Sequence, residues 1–380
     1  MRQGRHGPSP GGRHDLRALW ASGQPLTAET RPPWLEADDV TGYRLVAIAT
    51  LAGLSDADRV AAEDEFGAME MARLVVTDDP RDADRRHIYV AAPRPEPVWS
   101  IGIVAGDVPW SLGETPHVNP VIVAADVPGT AATSVADPFL VRDASGGWQM
   151  FFEVDSWSRW KGEIGLATSR DGLAWQCEGI VLAEPFHLSY PCVFAGDDGI
   201  YMTPESSQAA AVRLYRARRY PHDWEHVGDL VTGLPFADPT VVRHGGRWWL
   251  FTETSGGSDD TLRLFHAAAL HGPWVEHRAS PIVRGDATVA RPAGRIVATG
   301  GRLVRFAQNC GPAYGTDVRG CEIVRLTVTD YEERPLTAGP ILGPGRGWNS
   351  GGMHHVDPVE VAPGRWLAAV DGWRMEDDVA

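Results

Sequence analysis

Five short stretches of this chain carry residues whose types and spacing can do chemistry. Asp137, Asp238 and Asp357 each stand directly before a proline, and Tyr190 and Arg291 hold the same place before Pro191 and Pro292. Behind each proline runs a short apolar segment, a turn and a second apolar segment that ends in Glu153, Glu205, Glu253, Gln308 or Asp371. Carboxyl groups gathered at one place raise one another's pKa and lose solvation. A protein that gathers them generally uses them to bind a ligand or to move protons.

On that basis Asp137, Glu205, Asp238 and Glu253 are the candidate catalytic groups: Asp137 as base or nucleophile, Glu205 or Glu253 as acid, and Asp238 as a second carboxylate. Tyr190, Arg291, Gln308, His355 and Asp357 are candidate substrate contacts, and the Arg291 guanidinium suits a hydroxyl or an anion. Trp157 and Trp160, in Asp155-Ser156-Trp157-Ser158-Arg159-Trp160, read as a loop whose rings can stack on sugar faces. Each assignment has a plainer counterpart. Asp-Pro at a strand start is ordinary turn chemistry, and most tryptophans of a β fold, including Trp248, Trp249 and Trp348, are core. For Glu153 and Asp371 the structural and functional readings weigh equally. His354-His355 could form a metal or water site on an axis, but paired histidines without a ligand are commoner, so no metal and no cofactor is expected.

The elements that would position these groups are strands. Repeats of roughly 50 residues built from strands point to a β-propeller rather than a helical solenoid. Third-strand copies recur at Glu163 to Thr168, Arg213 to Ala217, Arg263 to Ala267 and Glu322 to Leu326, followed by Trp175, Trp224, Trp274 and Tyr331. A fifth copy, Trp99 to Val104 with Trp110, lies at the N-terminal side, while the last strand pair near Asp357 and Trp366 has no third strand after it. The N-terminal strand therefore completes the C-terminal blade and closes the ring, which leaves no open sheet edge between the ends. The expected fold is all-β, a five-bladed β-propeller closed by an N-terminal strand, with a short α-containing N-terminal extension. Residues 1–34 read as a flexible tail and residues 35–86 as an α/β extension packed on the propeller, with a strand over Tyr43 to Thr50 and a helix from Ser55 through Ala72. Residues 87–380 form the propeller.

Composition agrees. The 380 residues are 43% hydrophobic with 15 Trp, enough for a large core, and 42 Gly with 29 Pro supply the turns. A formal net charge of −15 argues against nucleic acid or an anionic membrane surface as partner. Cys177, Cys192, Cys310 and Cys321 form no CxxC pattern and read as buried free thiols, although Cys310 and Cys321 flank one turn and could pair in an oxidising compartment. No apolar run is long enough to span a membrane and the N-terminus is no secretory signal, so a cytoplasmic location is expected by default.

The stretch Ala136-Asp137-Pro138 at the head of a five-bladed propeller resembles the furanosidase propellers of glycoside hydrolase family 43 and the related invertase and levansucrase groups. Phe151-Phe152-Glu153, His187-Leu188-Ser189-Tyr190-Pro191 with Tyr201-Met202-Thr203-Pro204-Glu205, and Leu214-Tyr215-Arg216-Ala217 with Pro221 and Trp224 are similar to the propeller domain of plant glucosamine inositolphosphorylceramide transferases. Arg291-Pro292-Ala293-Gly294 and Gln308-Asn309-Cys310 resemble its stand-alone bacterial relatives, and the likeness runs from about Trp99 to the C-terminus. The furanosidase resemblance implies an Asp that activates water, a second-blade Asp that orients and tunes, and an acid that protonates the leaving oxygen. Asp137 matches the first, whereas Tyr190 stands in the second-blade place and Asp238 in the third. Two functions remain open: cleavage or transfer of a glycosidic bond, or non-catalytic binding of a glycan or sugar nucleotide in polysaccharide or glycolipid assembly. Both take a carbohydrate or glycoconjugate partner.

Overall fold

The structure, a computed structural model, describes residues 43–52, 73–79, 82–93 and, apart from 116, 131, 144 and 157–160, residues 97–375. The tail, the helix expected over Ser55 to Ala72, and Trp157 and Trp160 lie outside the described residues. Among the described residues no helix is long and apolar enough to cross a membrane. A first unit contains a three-stranded antiparallel sheet of β1 (Tyr43–Ala52), β2 (Arg73–Asp79) and β3 (Asp82–Pro93), with β3 in the middle.

The second unit is the propeller. It opens with β4 (Pro97–Val108) and β5 (Ser111–Glu114), and its first complete blade is β6 (Ser134–Arg142), β7 (Trp148–Ser156), β8 (Lys161–Ser169) and β9 (Gln176–Leu182). The second blade is β10 (Ser189–Ala195), β11 (Ile200–Glu205), β12 (Ala211–Arg219) and β13 (Asp223–Thr232). In the third, β14 (Ala237–His244), β15 (Arg247–Glu253) and β16 (Thr261–Ala267) are followed by two short strands, β17 (Val275–Glu276) and β18 (Val283–Arg284), which both pair with β16. The fourth is β19 (Val297–Thr299), β20 (Arg302–Asn309), β21 (Asp317–Leu326) and β22 (Tyr331–Pro335). The fifth is β23 (Val356–Ala362) and β24 (Arg365–Met375) followed by β4 and β5. The predicted closure is thus present: β24 pairs with β4 from Trp366 opposite Gly106 to Met375 opposite Pro97.

Alternation along the strands makes the core. Successive side chains point to opposite faces, so Phe151 packs against Val193 and Met202 of the second blade while Phe152 joins Ile103 and Leu367 of the fifth. Trp248 and Trp249 divide likewise between the interfaces with the second and fourth blades, and both are core, as expected for a β fold. One apolar cluster lies at each of the five blade junctions, and each takes in one outer-turn aromatic: Trp110, Trp175, Trp224, Trp274 or Tyr331. All four cysteines are free. Cys310 Sγ lies near Gln308 and Cys321 Sγ near Arg305, so the two do not pair.

One expected strand start is corrected. Arg291 does not open the first strand of the fourth blade, because β19 begins only at Val297. Residues 291–293 touch β20 through a single bridge, Pro292 to Ala307, and two flanking hydrogen bonds. Pro292 has no N–H to give, and Gly294 has φ +122°, with a Cβ there colliding with the Val356 carbonyl.

Candidate functional site

Asp137, Tyr190 and Asp238 are non-glycine residues with φ of 51°, 45° and 48°. Such values are uncommon, and for a residue as bulky as Tyr a true outlier. Each stands with its following proline opposite a single residue of the next strand: Asp137 and Pro138 face Phe152, Tyr190 and Pro191 face Pro204, and Asp238 and Pro239 face Thr252. These are β-bulges, which re-aim a side chain where pairing is interrupted. Two of the three strained residues are held by an acid of the preceding blade. Asp371 Oδ2 accepts the Asp137 N–H at 3.0 Å, and Glu205 Oε2 accepts the Asp238 N–H at 3.3 Å.

The two corners so built differ. Around Asp238 the polar groups are matched. Its Oδ2 accepts Arg291 Nε at 2.6 Å and Gln308 Nε2 at 2.7 Å, and Arg291 also reaches Asp259 at 2.9 Å and Glu205 at 3.5 Å. Burial pushes the Asp238 carboxyl up, Arg291 pulls it back, and Glu205 and Asp137 push it up again, so that its pKa ends well above the ordinary value. With three acidic side chains on its guanidinium, Arg291 has few donors left over for a substrate anion. Glu253 is equally engaged, with Oε1 accepting the N–H groups of Ser255 and Thr261 at 2.6 and 3.4 Å.

Around Asp137 the matching is incomplete. The residue is only 4% exposed, yet its Oδ1 has no hydrogen-bond partner in good geometry, and its nearest polar neighbours are His355 Nδ1 at 3.3 Å and His354 Nδ1 at 3.9 Å. Burial would raise its pKa, but His355, His354 and Arg291 outweigh that and hold the carboxyl below the usual range. Asp371 organises this corner. Its Oδ1 accepts the backbone N–H groups of His354 and His355 at 3.1 and 2.9 Å, and its Oδ2 lies 2.7 Å from His354 Nδ1. His354 stacks on Trp99 at 4.0 Å, and against burial the charge of Asp371 raises its pKa. The exposed Tyr314 ring covers the edges of both Trp99 and His354, with the Arg291 guanidinium 5.2 Å from its centroid.

Next to Asp137, at the end of β7, Glu153, Asp155 and His187 bring one oxygen or nitrogen each within 4.8 Å of one another. Burial and the neighbouring Asp155 push Glu153 up to about 8, and burial raises Asp155 as well. For His187, burial opposes the cation, while Glu153, Asp155 and Glu205 favour it. A backbone donor works against that second ring proton: the Gly162 N–H points at His187 Nδ1 at 2.8 Å, which makes Nδ1 an acceptor. The hydrogen bond decides for a neutral ring with its hydrogen on Nε2, 3.2 Å from Glu153 Oε1.

The remaining candidates lie deeper. Tyr190 is fully buried, its hydroxyl on Thr240 Oγ1 at 2.7 Å and the Gly294 N–H at 2.6 Å. Asp357 is buried on Arg295 and on the Leu140 N–H, three residues along β6 from Asp137. His355 lies between Phe139 and Tyr190, 0% exposed, with neither ring nitrogen hydrogen-bonded. Gln308 is buried behind Asp238.

Comparison with known proteins places this geometry in a family. Residues 92–373 match the family model described as glucosamine inositolphosphorylceramide transferase 1, N-terminal. The chain belongs to that family. Glucosamine inositolphosphorylceramide transferase 1 of Oryza sativa subsp. japonica is 35% identical over 306 residues, covering 74% of this chain and 41% of the relative. The Arabidopsis thaliana protein of the same name is 34% identical over 305 residues, covering 73% and 39%. The chain thus spans about two-fifths of the length of these curated relatives. Among solved structures, β-1,2-mannobiose phosphorylase from Listeria innocua aligns over 67% of this chain and 94% of its own with a TM-score of 0.50 and 13% identity, a likeness of fold.

In this member of the glucosamine inositolphosphorylceramide transferase N-terminal family, the sequence reading left Asp155, His187, Asp259 and Tyr314 out of the candidate site, and Glu153 and Asp371 undecided. His187 stands three residues before Tyr190-Pro191, inside a stretch that carried the family resemblance, which is the one signal that could have pointed to it. Asp259 and Tyr314 come from blade loops and have no repeat position.

Proposed function

We propose that this propeller binds a carbohydrate or glycoconjugate at the end where these bulges gather, and cleaves or transfers a glycosidic bond there. Asp137 acts as the ionised base or nucleophile and Glu153 as the proton donor. The observation that carries this reading is the opposite displacement of two carboxyls on adjacent strands of one blade. Asp137 is held low by histidines and Arg291, while Glu153 is raised to about 8 by burial and Asp155. Carboxyls whose environments drive their pKa values apart are the usual mark of an acid and base pair. Glu153 would give its proton to the glycosidic oxygen as the C–O bond breaks, and Asp137 would attack or take the proton of the incoming hydroxyl. The acid role passes from Glu205 and Glu253 to Glu153 because both of the former accept backbone N–H bonds that need their oxygens. The names of the relatives, a glycosyl-lipid transferase and a disaccharide phosphorylase, support a sugar partner.

A second reading, binding without turnover, is favoured by Tyr190 and by the matched Asp238 corner, where the furanosidase pattern would have free acids. A screen of the purified chain on aryl furanosides and pyranosides, alongside calorimetry with glycans, separates the two. Asp137→Asn is expected to lower kcat by about 100-fold or more with little change in KM. Unchanged turnover in that variant would remove Asp137 from the mechanism, and tight glycan binding without any turnover in the unaltered protein would favour the second reading.

A further inference from the structure

We propose that Glu153 and Asp155 share a single proton, and that Gly162 and His187 are the positioning residues that hold it for delivery to the sugar. The delivery rests on the reading above; the shared proton does not. Glu153 and Asp155 are two apart on β7 and so point to one face of the sheet. Their oxygens lie within 4.8 Å of one another and the two side chains are hydrogen-bonded, so double ionisation is disfavoured and the favoured state is one proton between them.

The geometry around them is built for that state. His187 lies just before β10, and its ring is fixed by a donor that cannot reverse, the Gly162 N–H at 2.8 Å from Nδ1. Its hydrogen therefore sits on Nε2 and is given to Glu153 Oε1 at 3.2 Å. With Oε1 committed as acceptor, the shared proton belongs to Oε2 and Asp155. The Gly162 carbonyl also accepts the Leu188 N–H at 3.0 Å, which ties β8 to the His187 segment on both sides. Only glycine fits there: a Cβ would lie 2.5 Å from the Leu188 oxygen, 2.7 Å from Glu153 Oε1 and 2.8 Å from His187 Cε1. The charged groups facing the pair from other elements are Asp137 on β6, which favours keeping the proton, and Glu205 on β11, which acts on His187. Burial raises both carboxyls, Asp155 pushes Glu153 up further, and the charge of Asp137 raises both. The same three side chains could be taken for a metal site, but an Nε2 that carries hydrogen has no lone pair for a cation.

The test is carboxyl-carbon NMR of the full chain labelled at Glu and Asp, titrated from pH 5 to 10 without substrate. One resonance, absent in Glu153→Gln, is expected to titrate near 8. Asp155→Asn should lower that midpoint by roughly one to two units by removing the like charge, whereas His187→Gln should not lower it. If Asp155→Asn does not fold, the comparison of the unaltered protein with Glu153→Gln still decides. The proposal is overturned if no Glu153 signal titrates above about pH 6, if Asp155→Asn leaves the midpoint in place, or if calorimetry with zinc, manganese or calcium alone shows binding that His187→Gln abolishes. A Glu153 that titrates near 8 in a protein without turnover overturns only the catalytic reading.

Discussion

The corner of the first blade and the corner shared by the third and fourth blades start from the same local design. Each has an Asp with positive φ before a proline, an acid at the end of the neighbouring strand, and an acid of the preceding blade on its backbone N–H. They end differently. Asp238 is matched by Arg291 and Gln308, whereas Asp137 keeps an oxygen without a partner and Glu153 keeps a proton that burial and Asp155 make hard to lose. A repeat fixes where a side chain starts, while the groups arriving from neighbouring blades fix its charge. A matched corner stabilises the ring, and an unmatched one can exchange protons with a ligand.

That contrast is broken most directly at Arg291. Arg291→Gln leaves Asp238, Asp259 and Glu205 without their cation and should cost about 3–5 kcal/mol in urea unfolding followed by Trp fluorescence. A loss below about 1 kcal/mol would mean that the third-blade corner is not held by that ion network.

The next effect is one of pH, with opposite signs at the two carboxyls of the first blade. Glu153 has a folded pKa of about 8 against an ordinary 4.5, so its contribution to stability is fully present below about 4.5 and is lost as pH rises to about 8. Glu153→Gln carries no such loss, so the variant should gain on the unaltered protein by about 2–4 kcal/mol between those limits, read as a widening gap in urea midpoints. Asp137, held low, contributes in the other direction: its stabilisation is present above its ordinary value of 3.8 and disappears as pH falls through its lowered one. A gap that stays constant with pH would place no proton on Glu153.

Tyr190→Phe has a smaller effect. It removes a hydroxyl that joins Thr240 to the Gly294 N–H and should cost about 1–3 kcal/mol by leaving a buried donor unmet, with glycan affinity unchanged. The smallest effect on stability is expected at Tyr314, where the exposed ring adds a cation and aromatic contact worth about 0.5–1 kcal/mol. Tyr314→Ala should instead weaken glycan binding about 10-fold in calorimetry, and an unaltered affinity would take this ring out of the ligand's path.

The chain's order of apolar strands, Gly and Pro turns and returning acid-proline pairs was enough to determine five blades and their closure by Trp99 to Val104. Those signals are local, repeat along the chain, and act through side-chain alternation and turn chemistry. The same pattern gave Asp137 and Asp238 like positions before a proline, and ranked Glu205 and Glu253 above Glu153. Only the tertiary structure separated them, because Arg291 reaches Asp238 from 53 residues away and Asp371 reaches Asp137 from 234 away. His187 meets Glu153 for the same reason, through a Gly162 whose missing side chain has no meaning until two strands come together around it. Charge state is set by burial and by neighbours in space, and a linear sequence specifies those only after the ring has closed.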